Sequence, residues 1–478
     1  MKKYIIISVC TVLLFSACTS SFIDHAPIST ATQDLYYKSD KDFQDALTGV
    51  YASVRTQYRD MYLFGDVRAD DSWIQQAKNN NATYSDQFTS QSNDGGCSTA
   101  WSNYYQAIFR ANLLLEKIED VDIPRKARYI AETRFLRAVC YFDLVRIFGD
   151  VPPVTSVLSV KECYSLARAP VSTIYNEIIL PDLLAAESGL PATYASADVG
   201  RPTLGAAKAL LGRVYLTLGN FQQAESKLME VTTMGYDLEP DYESIFYNAN
   251  KRHKGYIWDI EYESGVGCGS NKVNNFMPND ANMAAYFNVR GTGNEWNNPT
   301  QQLIDLYEPG DIRKLISVGE RSGFTDRNGN WVPIQGGTCQ TYTKKYLVNG
   351  SPAAGDDAAN WKYIRFADVL LMLAEAMNEN GKTAQAIPHL NRVRARAKVS
   401  EYPLTMNQAE TRAAIEKERR LELCFEGHRW FDLLRTGKAY ETMKSFGMEP
   451  HMTVFPIPLA QLQLVNDPAV LWQNPGYR

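Results

Sequence analysis

The chain has 478 residues and a formal net charge of -5, a length that suits two or more domains or one large domain with insertions. Its 45% hydrophobic and 22% charged residues are those of an ordinary globular protein. The mild acidity, without a long basic run, argues against a nucleic-acid binder. Among the 8 Cys no CxxC pair occurs, and the 5 His lie far apart, so neither a zinc motif nor a bound metal is expected.

Residues 1–17 read as a secretory leader: Lys2 and Lys3, an apolar run, then small residues. The apolar run is too short to span a bilayer. Ser16-Ala17-Cys18 has the form of a bacterial lipobox, which predicts lipidation of Cys18 and a tether over residues 18–33. Several acyl chains on one Cys anchor a protein firmly.

From residue 34 the pattern turns helical, with Phe43, Leu47, Val50, Tyr51 and Val54 at three- and four-residue steps. Residues 68–100 form a section rich in Asn, Ser, Asp and Gln. Two long helices are predicted over residues 101–118 and 127–148, the second stopped by Gly149 and the Pro152-Pro153 pair. In LGRVYLTLGNFQQA, residues 211–224, Gly212, Tyr215, Gly219, Phe221 and Ala224 fall on tetratricopeptide spacing. Ala374, Gly381, Ala386, Leu390 and Val393 repeat it. The fold class expected is mainly α: about four helix-turn-helix units carrying an irregular, loop-rich region with a few short strands.

That region is residues 236–361, set between helical regions 34–235 and 362–478. It is rich in Gly, Asn and aromatics, and Tyr256-Ile257-Trp258-Asp259-Ile260 reads as a strand. So long a stretch without helical period predicts functional loops. Cys140 and Cys424 read as buried thiols. Cys97, Cys268 and Cys339 are placed in Gly-rich loops, where any two could pair in an oxidising envelope.

No phosphate loop, GxSxG elbow or HExxH is present, and no cofactor is expected. Asp326-Arg327-Asn328-Gly329-Asn330 opens like a calcium loop but lacks the Gly and the distal Glu, so a tight turn is expected. A glycosidase needs two carboxylates. Asp70-Asp71 and Asp356-Asp357 qualify by composition only, because adjacent side chains point different ways. RRLELCFEGHRWFD, residues 419–432, is the densest chemistry in the chain. Its spacing reads as a structural latch, with Arg419 and Arg420 neutralising Glu418 and Glu422, and Asp432 meeting Arg435. Sugar binding asks for aromatic faces with Asn, Asp, Arg or Gln on exposed loops. The candidates are Trp73, Tyr84 and Asn93 in the first loop section, with Asn294, Trp296 and Trp331 in the second. Trp101, Trp258, Trp430 and Trp472 sit among apolar neighbours and read as structural.

The chain resembles the SusD/RagB family of outer-membrane nutrient-binding lipoproteins. AETRFLRAVCYFDLVRIFGDVPPV, GRPTLGAAKALLGRVYLTLGNFQQA, YIRFADVLLMLAEAMNENG and RRLELCFEGHRWFDLLRTG carry the resemblance, together with the ending from VFPIPLAQL to WQNPGY. It implies non-catalytic binding of an oligosaccharide or polysaccharide on the cell exterior. It also implies delivery of that glycan to a SusC-like TonB-dependent transporter. The alternatives are peptide or other nutrient binding in the RagB manner, and a periplasmic scaffold that holds protein partners on its repeats.

Overall fold

The structure, a computed structural model, describes residues 36–75, 80–320, 323–326, 328, 330–333 and 340–477. The leader, the tether, Cys18 and Cys339 lie outside the described residues.

The helices that frame the molecule are α1 (Asp40–Tyr58), α2 (Asn81–Asp86), α3 (Gly95–Ile118), α4 (Lys126–Phe148), α5 (Leu180–Gly189), α6 (Leu204–Thr217) and α7 (Phe221–Thr232). After them come α8 (Lys272–Phe276), α9 (Phe366–Glu379), α10 (Thr383–Arg396), α11 (Gln408–Leu423) and α12 (Arg429–Arg435). Local chemistry sets many of their starts. Ser39 and Asp42 form a capping box at α1, and Asn407 and Glu410 form one at α11. Thr203 and Asn220 cap α6 and α7 with single side-chain bonds.

Each long helix packs on the next in a chain from α1 through α3, α4, α5, α6 and α7 to α9, α10 and α11. This is the solenoid logic, in which each unit buries its apolar face on its neighbour. The tetratricopeptide spacing has a direct cause at Gly212: a Cβ there would lie 2.5 Å from Leu228 on α7. Helix α4 is the central member and is buried nearly all round, by Phe135, Leu136, Val139 and Phe142 among others. Its buried Asp143 accepts the hydroxyl protons of Tyr58 and Tyr104, which locks α1 and α3 onto it.

The strands are short: β1 (Ser72–Trp73), β2 (Tyr256–Ile260), β3 (Asn298–Pro299), β4 (Val318–Glu320), β5 (Gly323–Thr325), β6 (Trp331–Pro333), β7 (Thr341–Thr343) and β8 (Trp361–Arg365). β2 pairs antiparallel with β8, so the loop-rich region begins and ends on one ribbon beside the helices. β1 pairs with β3, and β4 to β7 form a sheet in the order β6-β5-β4-β7. Thr341 and Thr343 of β7 donate to the carbonyls of Pro299 and Asn297 at 2.7 and 2.6 Å, which brings the two sheets side by side.

Two expectations need correction. Cys97 lies in the first turn of α3 rather than in a loop, and burial pushes its thiol up to about 12. Cys97 and Cys268 are both free. The second concerns the latch. Arg419 and Arg420 do not neutralise Glu418 and Glu422. Glu418 instead meets Arg313 at 2.5 Å and Arg394 at 2.9 Å, and Glu422 meets Arg396 at 2.5 Å and Arg365 at 2.7 Å. Arg419 reaches Asp368 and Asp432, each at 2.8 Å, and Arg435 meets Asp432 at 2.8 Å as expected. On α11 the acids face inward, where Arg313 and partners from α10 and β8 approach, so their sequence neighbours are on the wrong side.

Candidate glycan site

The latch holds the backbone from which the first loop section springs. Arg429 grips Asp70 with two bonds of 2.7 and 2.9 Å, and Arg420 grips Asp71 at 2.8 Å. Asp66 accepts from the Gly427 amide at 2.8 Å and from Asn297 at 3.2 Å, while Ser72 donates to Asn297 at 2.6 Å. Gly65 and Gly427 are glycines because the two chains touch: a Cβ on Gly65 would lie 2.5 Å from the Gly427 carbonyl oxygen. Burial pushes the Asp66 carboxyl up to about 7 against the two hydrogen bonds it accepts.

Beyond this anchor, the chain turns through α2 and on to the start of α3. The two helix starts enclose a polar groove of about 570 Å³ lined by Asn80, Asn81, Tyr84, Thr89, Gln91, Asn93, Asp94 and Gly95. Tyr84 and Asn93 therefore line one groove. Tyr84 is half-buried, offering one aromatic surface, and Asn93 is exposed. Asn80 caps α2, accepting from the Thr83 amide at 3.0 Å. Asp94 sits at the start of α3, and its carboxylate turns back to accept from the Gln91 amide at 2.8 Å. Phe88 reverses the chain between them with φ +56 and packs its ring under Arg68, 4.5 Å from the guanidinium. Sequence reasoning missed Asn80, Asn81, Thr89, Gln91 and Asp94. The available signal was the density of Asn, Asp and Gln over residues 80–94.

The remaining candidates take other positions. Trp73 is half-buried on β1, and its indole N–H lies 3.1 Å from the Pro299 carbonyl and 3.3 Å from the Thr341 hydroxyl. Asn294 donates to Asn275 at 3.0 Å. Trp296 stacks on Tyr62 with ring centroids 6.3 Å apart and planes 18° apart. Its burial against the core is a consequence of the loop turning inward through Glu295 and Asn297, both at positive φ. Trp331 stands on β6 with half its surface exposed. Tyr286, unremarked in the sequence, is equally open and packs edge-on against Phe324 of the same sheet at 4.9 Å.

The carboxylate pairs are occupied structurally. Asp70 and Asp71 belong to the latch, and Asp357 accepts from the backbone of Val273 and Ala359 while Asp356 accepts from Ser264 and Gly265. The residue 326–330 turn is closed by Asp326, which accepts from the amides of Asn328 and Asn330 at 2.9 and 2.8 Å. Arg327 and Gly329 of that turn lie outside the described residues.

Comparison with known proteins agrees with this architecture from end to end. Residues 243–477 match the model of the SusD family, and residues 21–216 match one described as starch-binding and associating with the outer membrane. SusD-like protein P2 of Formosa agariphila is 28% identical over the full length of both chains. A SusD-like protein of Bacteroides ovatus is 27% identical over 91% of this chain and 82% of its own. Among solved structures, a laminarin-binding SusD-like protein is 31% identical, with a TM-score of 0.78 over 92% of this chain and all of its own. A SusD homologue of Bacteroides thetaiotaomicron, 24% identical, shares the fold with a TM-score of 0.80 over 93% of this chain and 98% of its own. The matches run through both halves of the chain, and the chain belongs to the SusD/RagB family of carbohydrate-binding, non-catalytic proteins.

Proposed function

We propose that this protein captures a glycan at the cell exterior through the groove between α2 and α3 and passes it to a SusC-like TonB-dependent transporter, held at the outer membrane by lipid on Cys18. The groove carries the reading: an aromatic ring, several amides and a carboxylate meet in an open space large enough for a few sugar rings. The laminarin-binding relative makes a β-glucan the first ligand to try. The outer-membrane family model supports the location. In this reading Tyr84 and Asn93 contact the sugar directly, and Trp331 offers a second stacking face. Trp73, Asn294 and Trp296 hold the loops of the 236–361 region against the first loop section.

Affinity electrophoresis or calorimetry with laminarin and a panel of other polysaccharides tests the proposal. Binding without release of shorter products is expected, and Tyr84→Ala should weaken it at least tenfold, since a stacked ring contributes about 1–3 kcal/mol. Release of product, or full affinity in Tyr84→Ala, would sink it. Delivery is tested separately, by co-purification with the transporter.

A further inference from the structure

We infer that Asp94 sets the charge class of the ligand, so that the groove accepts neutral glycans and turns away those bearing uronate or sulfate groups; the inference rests on the glycan-binding reading above. Asp94 occupies the start of α3, a helix of 24 residues. The amino end of such a helix carries roughly half a positive charge and by itself attracts anions. A residue at this position ordinarily caps its own helix. Asp94 does not: its side chain makes no capping bond to α3, and one carboxylate oxygen accepts from the Gln91 amide at 2.8 Å. The carboxylate is thus pinned in the wall of the groove, beside Tyr84 and Asn93.

The magnitudes decide the sign of the field. A full negative charge outweighs the half-charge of the helix end, leaving the wall net negative by roughly half a unit. No Lys or Arg is among the described residues that line the groove. A carboxylate accepts hydroxyl protons from a neutral sugar in charge-assisted bonds. A carboxylated or sulfated sugar meets repulsion in the same place. Asn80, Asn81, Gln91 and Asn93 are uncharged and serve hydroxyls without selecting for charge.

The substitution Asp94→Asn isolates the effect. Asn keeps the shape, starts a helix as well as Asp does, and retains an oxygen for the Gln91 amide. It leaves the helix end unopposed. The probe is a matched pair: whichever neutral polysaccharide the wild type binds, and the same polymer with its primary alcohols oxidised to carboxylates. Wild type should prefer the neutral polymer by about tenfold or more, and Asp94→Asn should bring the two within about threefold, at an unchanged melting temperature. A preference that survives in Asp94→Asn, or a wild type without preference, overturns the inference. A wild type that binds only natural polyuronates leaves the glycan-binding reading standing and removes this one. A wild type that binds no glycan removes both.

Discussion

Residues 418–432 and residues 80–95 both gather polar side chains, and they differ in what is left over. In the first segment Glu418, Glu422 and Glu426 are buried and each is met by two or more cations from distant parts of the chain. In the second, Asn93 stands in solvent, and the Asp94 carboxylate takes one backbone amide while it lines an open groove. A ligand needs groups whose hydrogen-bonding capacity is not already spent. The density of chemistry in the sequence therefore points at the scaffold, and the modest loop keeps the open polar surface on which the proposed ligand site rests.

The sharpest way to break this contrast is to remove one acid from the latch. Glu422 is held by Arg396, Arg365 and Arg313. Burial alone would raise its pKa, but those guanidiniums overcome this and keep it well below the usual carboxylate range. Glu422→Ala leaves three guanidiniums short of a partner in the interior. Removing one partner from a buried network costs about 3–5 kcal/mol. Chemical denaturation should show a loss of that size; a loss below about 1 kcal/mol would mean that the network is not a latch.

Asp66 tests how the latch is tied to the loop. Burial raises its folded carboxyl from the ordinary aspartate value of 3.8 to about 7. Between those values the folded state binds more protons than the unfolded state, so stability falls as pH rises and the loss is complete above about pH 7. Asp66→Asn removes the titration. From pH 5 to pH 8 its stability relative to wild type should improve by about 2–3 kcal/mol. Urea midpoints at the two pH values measure this, and parallel profiles for the two proteins would refute it.

Trp296 falls between the two regions. From the sequence, a Trp flanked by Gly and Asn reads as a ligand contact whose loss would leave stability untouched. Its stacking on Tyr62 and its contact with the core change that expectation. Trp296→Ala should lower stability by about 1–3 kcal/mol, less than a fully buried Trp, with any loss of binding following from a loosened loop. An unchanged melting temperature with binding abolished would return Trp296 to direct contact.

The helical scaffold was legible because it repeats. Three- and four-residue apolar steps located α1, α3 and α4, and the small and aromatic spacing over residues 211–224 located the α6–α7 hairpin. Ion partners were not legible. Arg313, Arg365, Arg394 and Arg396 reach Glu418 and Glu422 across the fold, and no local spacing encodes that. Only a small part of the groove was legible. Tyr84 and Asn93 stood out as an aromatic and an amide in a polar loop, whereas Asn80 and Asp94 were part of its general polar density, and only the structure places them at helix starts in the groove wall.

The smallest expected effect on stability is at Trp331, and it sharpens the contrast most finely. Half of its surface is open, and on β6 it lies opposite Thr325 at the edge of its sheet. An edge-strand aromatic with so much surface in water contributes little to folding, so Trp331→Ala should leave the melting temperature within about 1–2 °C of wild type. Its open surface could stack on a sugar ring, the role proposed for Tyr84 in the groove. If a long polysaccharide reaches both, Trp331→Ala should weaken binding of the polymer by about threefold to tenfold while leaving short oligosaccharides unaffected. Equal losses for short and long ligands would place Trp331 in the same subsite as Tyr84. No loss for either would confine recognition to the α2–α3 groove and leave the sheet with a structural role only.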